Sequence, residues 1–174
     1  MKQFVFTSLL ILAFALAANA QKVKPKTTSA CPGANGLTQS EITGILDLHN
    51  KTRTGLGLPK LVWNCGLATA AQTWAARGIF EHRAGGTYGE NLYVSSSQTV
   101  IPTYGVERWL TEKIGWNNTT GTCQEGKICT HYTQVVWRKT TEIGCGINRS
   151  APGKWKVLMV CNYNPLGNTG GKAY

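Results

Sequence analysis

Residues 143–163, IGCGINRSAPGKWKVLMVCNY, hold two β-like runs, 143–148 and 155–163. The Arg149-Ser-Ala-Pro-Gly153 segment between them has the Pro and Gly of a hairpin connection. These are the clearest strands in the chain, and everything upstream of Trp137 looks mainly helical. Helices first and strands late, with too few strands for a sandwich of sheets, imply an α+β fold in which helices cover an antiparallel sheet.

Working back toward the N-terminus, Thr38-Gln-Ser-Glu41 is a capping box: the threonine hydroxyl accepts a backbone N–H and the glutamate carboxylate reaches back to the cap. Ile42, Ile45, Leu46 and His49 follow at helical spacing, and Gly55 and Gly57 close this first helix. A second helix fits 67–79, with Leu67, Ala70, Ala71, Trp74 and Ala75 on one stripe; its alanines predict close packing against a neighbour. A third fits 104–114, with Val106, Trp109 and Leu110 facing one way and Lys113 interrupting the stripe. Residues 82–100 are rich in Gly and Ser and read as irregular. The valines of 133–137 suggest a further strand. No internal repeat is present.

The first twenty residues have the form of a secretory leader. Lys2 supplies the positive end, 4–18 are almost continuously apolar, and Ala18-Asn19-Ala20 offers the small residues of a cleavage site. A membrane anchor is the competing interpretation, but the run is short and ends in that site. Removal of 1–20 leaves a basic flexible arm, 21–37, rich in Lys, Thr, Pro and Gly, and one domain, 38–174. All six cysteines fall after the leader, and an even number in a secreted chain implies disulfides, with fifteen pairings open from spacing alone. There is no CxxC pair to suggest a zinc knuckle. The net charge of +10 becomes +9 without Lys2. Its residues are scattered, without a basic block or basic-aromatic stripe, so a basic soluble surface is favoured over a nucleic-acid site. Anionic membrane or cell-wall polymer remains a partner that such charge suits.

Of three histidines, His49 lies on the apolar stripe of the first helix and reads as a core residue. His82 and His131 sit in polar segments. The chain has few acids, and Glu90, Glu107 and Glu112 lie near those two histidines in sequence. Spacing alone does not bring them together.

Four segments change the picture. Gly89-Glu-Asn-Leu92, His131-Tyr-Thr-Gln-Val-Val-Trp137, Gly144-Cys-Gly146 and Leu158-Met-Val-Cys-Asn-Tyr-Asn-Pro-Leu-Gly-Asn168 resemble the signature segments of the CAP superfamily (cysteine-rich secretory, antigen 5 and pathogenesis-related class 1 proteins), in order and spacing. The likeness is strongest to the plant pathogenesis-related class 1 branch and covers about residues 38–169. It implies an α-β-α sandwich and turns 133–137 into a short helix. It also implies a cleft tetrad: His82, Glu90, Glu112 (three residues after Trp109) and His131, with Glu107 outside it. Two imidazoles flanked by carboxylates suit weak binding of zinc or another divalent cation, the carboxylates acting as ligands or orienting the rings. The competing role is a hydrogen-bond network that holds helix to loops.

The resemblance further pairs Cys145 with Cys161 and Cys123 with Cys129. Cys31 and Cys65 are left to each other, since the plant branch's third pair falls here near Gly78 and at Ser150. A secreted, non-enzymatic, monomeric binder of a lipid, sterol or other small molecule is the implied function, in defence or host interaction. Where some relatives have been suggested to use a serine after the first histidine, this chain has Arg83, and it lacks GxSxG and HExxH. A metal-dependent hydrolase or protease is thus the weaker alternative. The aromatic-rich loop of sterol-binding relatives corresponds to 116–127, where Trp116 is the one aromatic and no aliphatic occurs, leaving Trp116 as the candidate ligand contact. Residues 165–174 resemble a releasable defence peptide, though one residue short and with Ala173 in place of proline, which makes a peptide precursor a second alternative. Four acceptor triplets begin at Asn50, Asn117, Asn118 and Asn148; Asn117 and Asn118, in a polar loop, are the candidates for glycosylation.

Overall fold

The computed structural model describes Cys31 and residues 35–174; the leader and most of the basic arm lie outside the described residues. Helix α1 (Gln39–Gly55) starts at the capping box, with both Thr38 and Glu41 bonds formed. Strand β1 (Val62–Trp63) leads into α2 (Cys65–Ala75), capped by the Asn64 side chain on the Leu67 N–H. Then come β2 (Gly89–Ser95), α3 (Pro102–Thr111) and a 3-10 turn, Glu112–Gly115. A two-stranded ribbon, β3 (Trp116–Asn117) with β4 (Thr122–Cys123), precedes α4 (Thr130–Val135). Strands β5 (Glu142–Asn148) and β6 (Val157–Asn164) close the chain's regular structure.

The main sheet runs β1-β5-β6-β2, and it sits between two helical layers. Strand β6 shows why. Val157, Met159, Cys161 and Tyr163 enter one apolar cluster with Ile45 of α1, Val106 and Trp109 of α3 and Tyr132 and Val135 of α4. Leu158 and Val160 enter another with Ala71 and Ala75 of α2. Alternate residues therefore feed opposite layers, and the strand must be apolar throughout. On β5 the split is sharper: Ile143, Cys145 and Ile147 face the first cluster. A Cβ on Gly144 or Gly146 would overlap the backbone of α2 at Ala68 and Gln72. Helix α2 thus rests on bare backbone, and its buried Ala68, Ala71 and Ala75 are the matching small residues.

Several expectations are corrected. The sheet is mixed, because β1 pairs with β5 in parallel. Residues 82–100 are not irregular throughout: β2 pairs with β6 over its whole length, Gly89 to Tyr163 through Ser95 to Val157. Helix α2 ends at Ala75 rather than near 79. Helix α3 begins at Pro102, whose missing N–H costs nothing in a first turn, and ends at Thr111, so Lys113 lies in the 3-10 turn and is exposed. Residues 130–135 form a short helix, as the resemblance implies and the valines alone do not. Asn35 is buried, its carbonyl accepts from the Ile147 N–H at 3.0 Å, and Leu37 packs on the core. The last residues assigned to the arm therefore belong to the fold.

Three disulfides join Cys31 to Cys65, Cys123 to Cys129 and Cys145 to Cys161. The last links facing residues of β5 and β6. Gly78 lies against Ala151 and Pro152, beside the positions where a further pair would stand. Among the described residues, no helix is long and apolar enough to cross a membrane.

Candidate functional site

Strand β2 carries Glu90 and Asn91 to the sheet edge on opposite faces. The Glu90 carboxylate meets His82 Nδ1 at 2.8 Å and accepts the Arg83 N–H at 3.2 Å. From the other helical layer, the 3-10 turn presents Glu112. One of its oxygens lies 2.6 Å from His131 Nδ1, and the other accepts the N–H groups of His131 and Tyr132 at 3.0 and 3.2 Å. Glu112 thereby both orients the ring and satisfies two donors in the first turn of α4. The His131 ring is stacked on Trp109, 9° from parallel with centroids 6.2 Å apart, and Trp109 is fixed by its Nε1–H to the Leu92 carbonyl.

Both histidines line one cavity of about 590 Å³, shared with Trp116, Cys123, Ile128, Cys129, Thr133, Trp137, Asn168 and the tail glycines Gly170 and Gly171. The four sequence-derived residues are therefore assembled as two separate pairs, His82–Glu90 and His131–Glu112. A carboxylate oxygen only accepts, so each Nδ1 carries the hydrogen, and in the neutral ring Nε2 then keeps its lone pair. Among the described residues neither Nε2 has a hydrogen-bond partner, and no three His, Cys, Asp or Glu side chains come close enough to hold a metal ion together. The donor set lacks the three or four side-chain ligands of a closed tetrahedral site, which leaves His82 and His131 as the residues that could hold a cation. The His82 side chain is 64% exposed against 26% for His131, so the former faces solvent while the latter is largely enclosed.

Trp116 reaches the cavity from β3, with its Nε1–H on Asn118 Oδ1 at 3.2 Å. The apolar wall that 116–127 lacks in sequence is completed by Ile128 and Trp137. Glu107 is exposed and lines a different cavity of about 520 Å³ with Asp47, Lys51 and Lys60, apart from the tetrad.

Sequence reasoning missed the support behind His131. His49 Nδ1 donates to the Ile45 carbonyl, so Nε2 must accept the Tyr163 O–H at 2.9 Å. Asn91 Nδ2 donates to the Tyr163 hydroxyl at 3.4 Å and to the His131 carbonyl at 3.1 Å. Burial lowers the His49 pKa to about 4, with the Arg53 charge acting in the same direction, and burial raises that of Tyr163. Arg53 is itself fully buried without a carboxylate. Its guanidinium donates to the carbonyls of Pro59, Val135, Trp137 and Thr140 at 2.8–2.9 Å, which ties α1 to the end of α4, and burial lowers its pKa to about 10. Asn91 and Tyr163 lie within the Gly-Glu-Asn and Cys-Asn-Tyr segments, which was the available signal. Nothing local marks Arg53 as interior.

The C-terminal tail is woven into the same region. Gly167 N–H donates to Gln134 Oε1 at 2.8 Å, Asn168 reaches Thr130 and Thr133, and Arg138 N–H donates to the Ala173 carbonyl at 2.7 Å. Asn118 receives the Tyr174 N–H and donates to its carbonyl. A Cβ at Gly89 or at Gly167 would overlap the Gln134 amide.

The cysteine-rich secretory protein (CAP) family model matches residues 46–163. Pathogenesis-related protein 1B of Nicotiana tabacum is 36% identical over 131 residues, 74% of this chain and 77% of that protein. Venom allergen-like protein 4 of Schistosoma mansoni is 28% identical in its solved structure, which superposes with a TM-score of 0.66 over 79% of this chain and 95% of that one. NaASP2, solved with Zn2+, is 24% identical and shares the fold at a TM-score of 0.70, over 83% of this chain and 88% of that one. With its sandwich of helices about a sheet and its signature segments converging on one cleft, the chain belongs to the cysteine-rich secretory protein (CAP) family.

Proposed function

We propose that this is a secreted, non-enzymatic binding protein of defence or host interaction, whose cleft takes a small ligand with an apolar body, a lipid or sterol, together with a weakly held divalent cation. The observation that carries the proposal is the cavity in which two imidazoles with unengaged Nε2 atoms stand beside Trp116, Ile128 and Trp137. Neutral imidazole nitrogens are good zinc donors, and carboxylates on their far side raise their basicity and fix their orientation. Apolar wall supplies the buried contact that a lipid body requires. Secretion is supported by the leader-like first twenty residues and by three disulfides, which persist in oxidising compartments.

Binding rather than hydrolysis is favoured by the neighbourhood of His82. The next residue, Arg83, offers no hydroxyl; its N–H is bonded to Glu90 and its guanidinium lies over the Tyr88 ring. The tail does not resemble a segment poised for release, since Ala173 is buried and the tail's backbone is bonded to Gln134, Arg138 and Asn118.

Titration calorimetry with Zn²⁺ and a saturation assay with a fluorescent sterol test the two ligands separately. Single His82→Ala and His131→Ala variants are expected to weaken Zn²⁺ at least about tenfold, and Trp116→Ala to weaken the sterol. Equal Zn²⁺ affinity in all three proteins rejects the cation site, and absence of saturable sterol uptake by the unaltered protein rejects that ligand.

A further inference from the structure

The structure assigns an N-linked glycan to Asn117, and to Asn117 alone of the four acceptor triplets. Attachment requires a free amide nitrogen with room around it. In the reaction Asn117 Nδ2 would attack C1 of a reducing-end sugar on a polyprenyl-diphosphate oligosaccharide. The new N–C1 bond forms as the C1–O bond to the diphosphate breaks, the nitrogen gives up one proton, and the lipid diphosphate leaves with the bonding pair. The product keeps a bulky, solubilising group on the surface.

Three of the four asparagines have no such room in the folded protein. Asn50 is half-buried, and its Nδ2 donates to the Leu61 carbonyl at 3.0 Å while its Oδ1 accepts the Leu61 N–H at 2.7 Å. Asn148 Nδ2 is aimed at the Ala75 carbonyl at 3.1 Å, inside the packing of α2 on β5. Asn118 Nδ2 is aimed at the Tyr174 carbonyl, and its Oδ1 accepts both the Tyr174 N–H and the Trp116 indole N–H. A sugar on any of these would have to displace a distant backbone partner. Asn117 differs. It is exposed at the end of β3, its Oδ1 accepts the N–H groups of Thr119 and Thr120 at 2.9 and 3.3 Å, and its Nδ2 has no partner among the described residues. The turn therefore presents the nitrogen outward with its hydroxyl-bearing Thr119 two residues on, the arrangement of an acceptor triplet. Because Trp116 and Gly121 line the His82–His131 cavity, the glycan stands at the rim of that cavity, while Asn118 keeps the tail in place.

The overlap of the two triplets permits a clean test without altering either asparagine. Thr119→Ala destroys the triplet of Asn117 and leaves that of Asn118; Thr120→Ala does the reverse. The full chain and both variants are produced in a eukaryotic secretory host, and glycopeptides are mapped by mass spectrometry after enzymatic deglycosylation in heavy-oxygen water. The expected result is label at Asn117 in the unaltered chain and in Thr120→Ala, and none at any asparagine in Thr119→Ala. Label at Asn118, Asn50 or Asn148 in secreted protein, persistence of the glycan in Thr119→Ala, or a chain without glycan overturns the assignment.

Discussion

At the scale of single residues, Glu112 is the most heavily committed group in the cleft. It serves one ring nitrogen and two backbone donors at once, and the two duties can be separated. Glu112→Ala leaves the His131 and Tyr132 N–H groups without their acceptor, an expected loss of about 1–3 kcal/mol of stability. Glu112→Gln keeps one acceptor oxygen for the backbone but can turn its NH₂ toward His131, which then places the ring hydrogen on Nε2 and blocks that atom as a ligand. Urea denaturation should therefore separate alanine from glutamine, whereas Zn²⁺ titration should find both weakened by about 10–100-fold. Equal loss of stability in both variants would mean that the backbone bonds carry no weight. His82, Glu90, Glu112 and His131 were legible in the sequence because they stand inside or beside recognisable segments. Their division into two pairs was not, since spacing along a chain says nothing about distance across a cleft. Arg53 was illegible for another reason: its partners are four carbonyls, which every residue possesses.

At the scale of elements, what could be read ahead was whatever is encoded locally. The α1 cap needs only Thr38 and Glu41, and the β6 run needs only its own apolar residues. Strand β2 was hidden because its neighbours are glycine- and serine-rich and its pairing with β6 is remote in sequence. Strand β1 has two residues, too few for any periodicity, so the parallel edge of the sheet could not be foreseen. The seating of α2 on Gly144 and Gly146 gives a prediction of its own. Gly144→Ala forces a methyl into the α2 backbone, where no flexible side chain can yield, with an expected cost of about 1–3 kcal/mol or more. Gly55→Ala, at a position with nothing within 4 Å of the added carbon, is expected to stay within about 0.5 kcal/mol. Parallel chemical denaturation of the two variants decides it; similar midpoints would refute the close approach of helix and sheet.

For the molecule as a whole, the buried polar chain from His49 through Tyr163 and Asn91 to the His131 carbonyl makes folding sensitive to acid. The folded His49 pKa, lowered by burial to about 4, lies under the value of about 6.5 expected in the unfolded chain. Above pH 6.5 neither state binds the proton and stability is complete; between 6.5 and 4 the unfolded chain takes it up first, and about 3 kcal/mol is lost. Glu142, held below its ordinary range by Asn164 and Asn64, adds to the loss further into acid. Denaturation series at pH 7 and pH 4.5 should show this fall, and His49→Gln should flatten it; an unchanged slope in the variant would place the acid sensitivity elsewhere. The amide of Gln134, wedged between Gly89 and Gly167, has a consequence of another kind. Any side chain at 89 or 167 collides with it, and any shortening of 134 strands the Gly167 N–H, so the three positions can drift only in concert. Among descendants of this chain, a departure at one of them should be accompanied by a compensating departure at another, a linked inheritance spanning a helix, a strand and the tail.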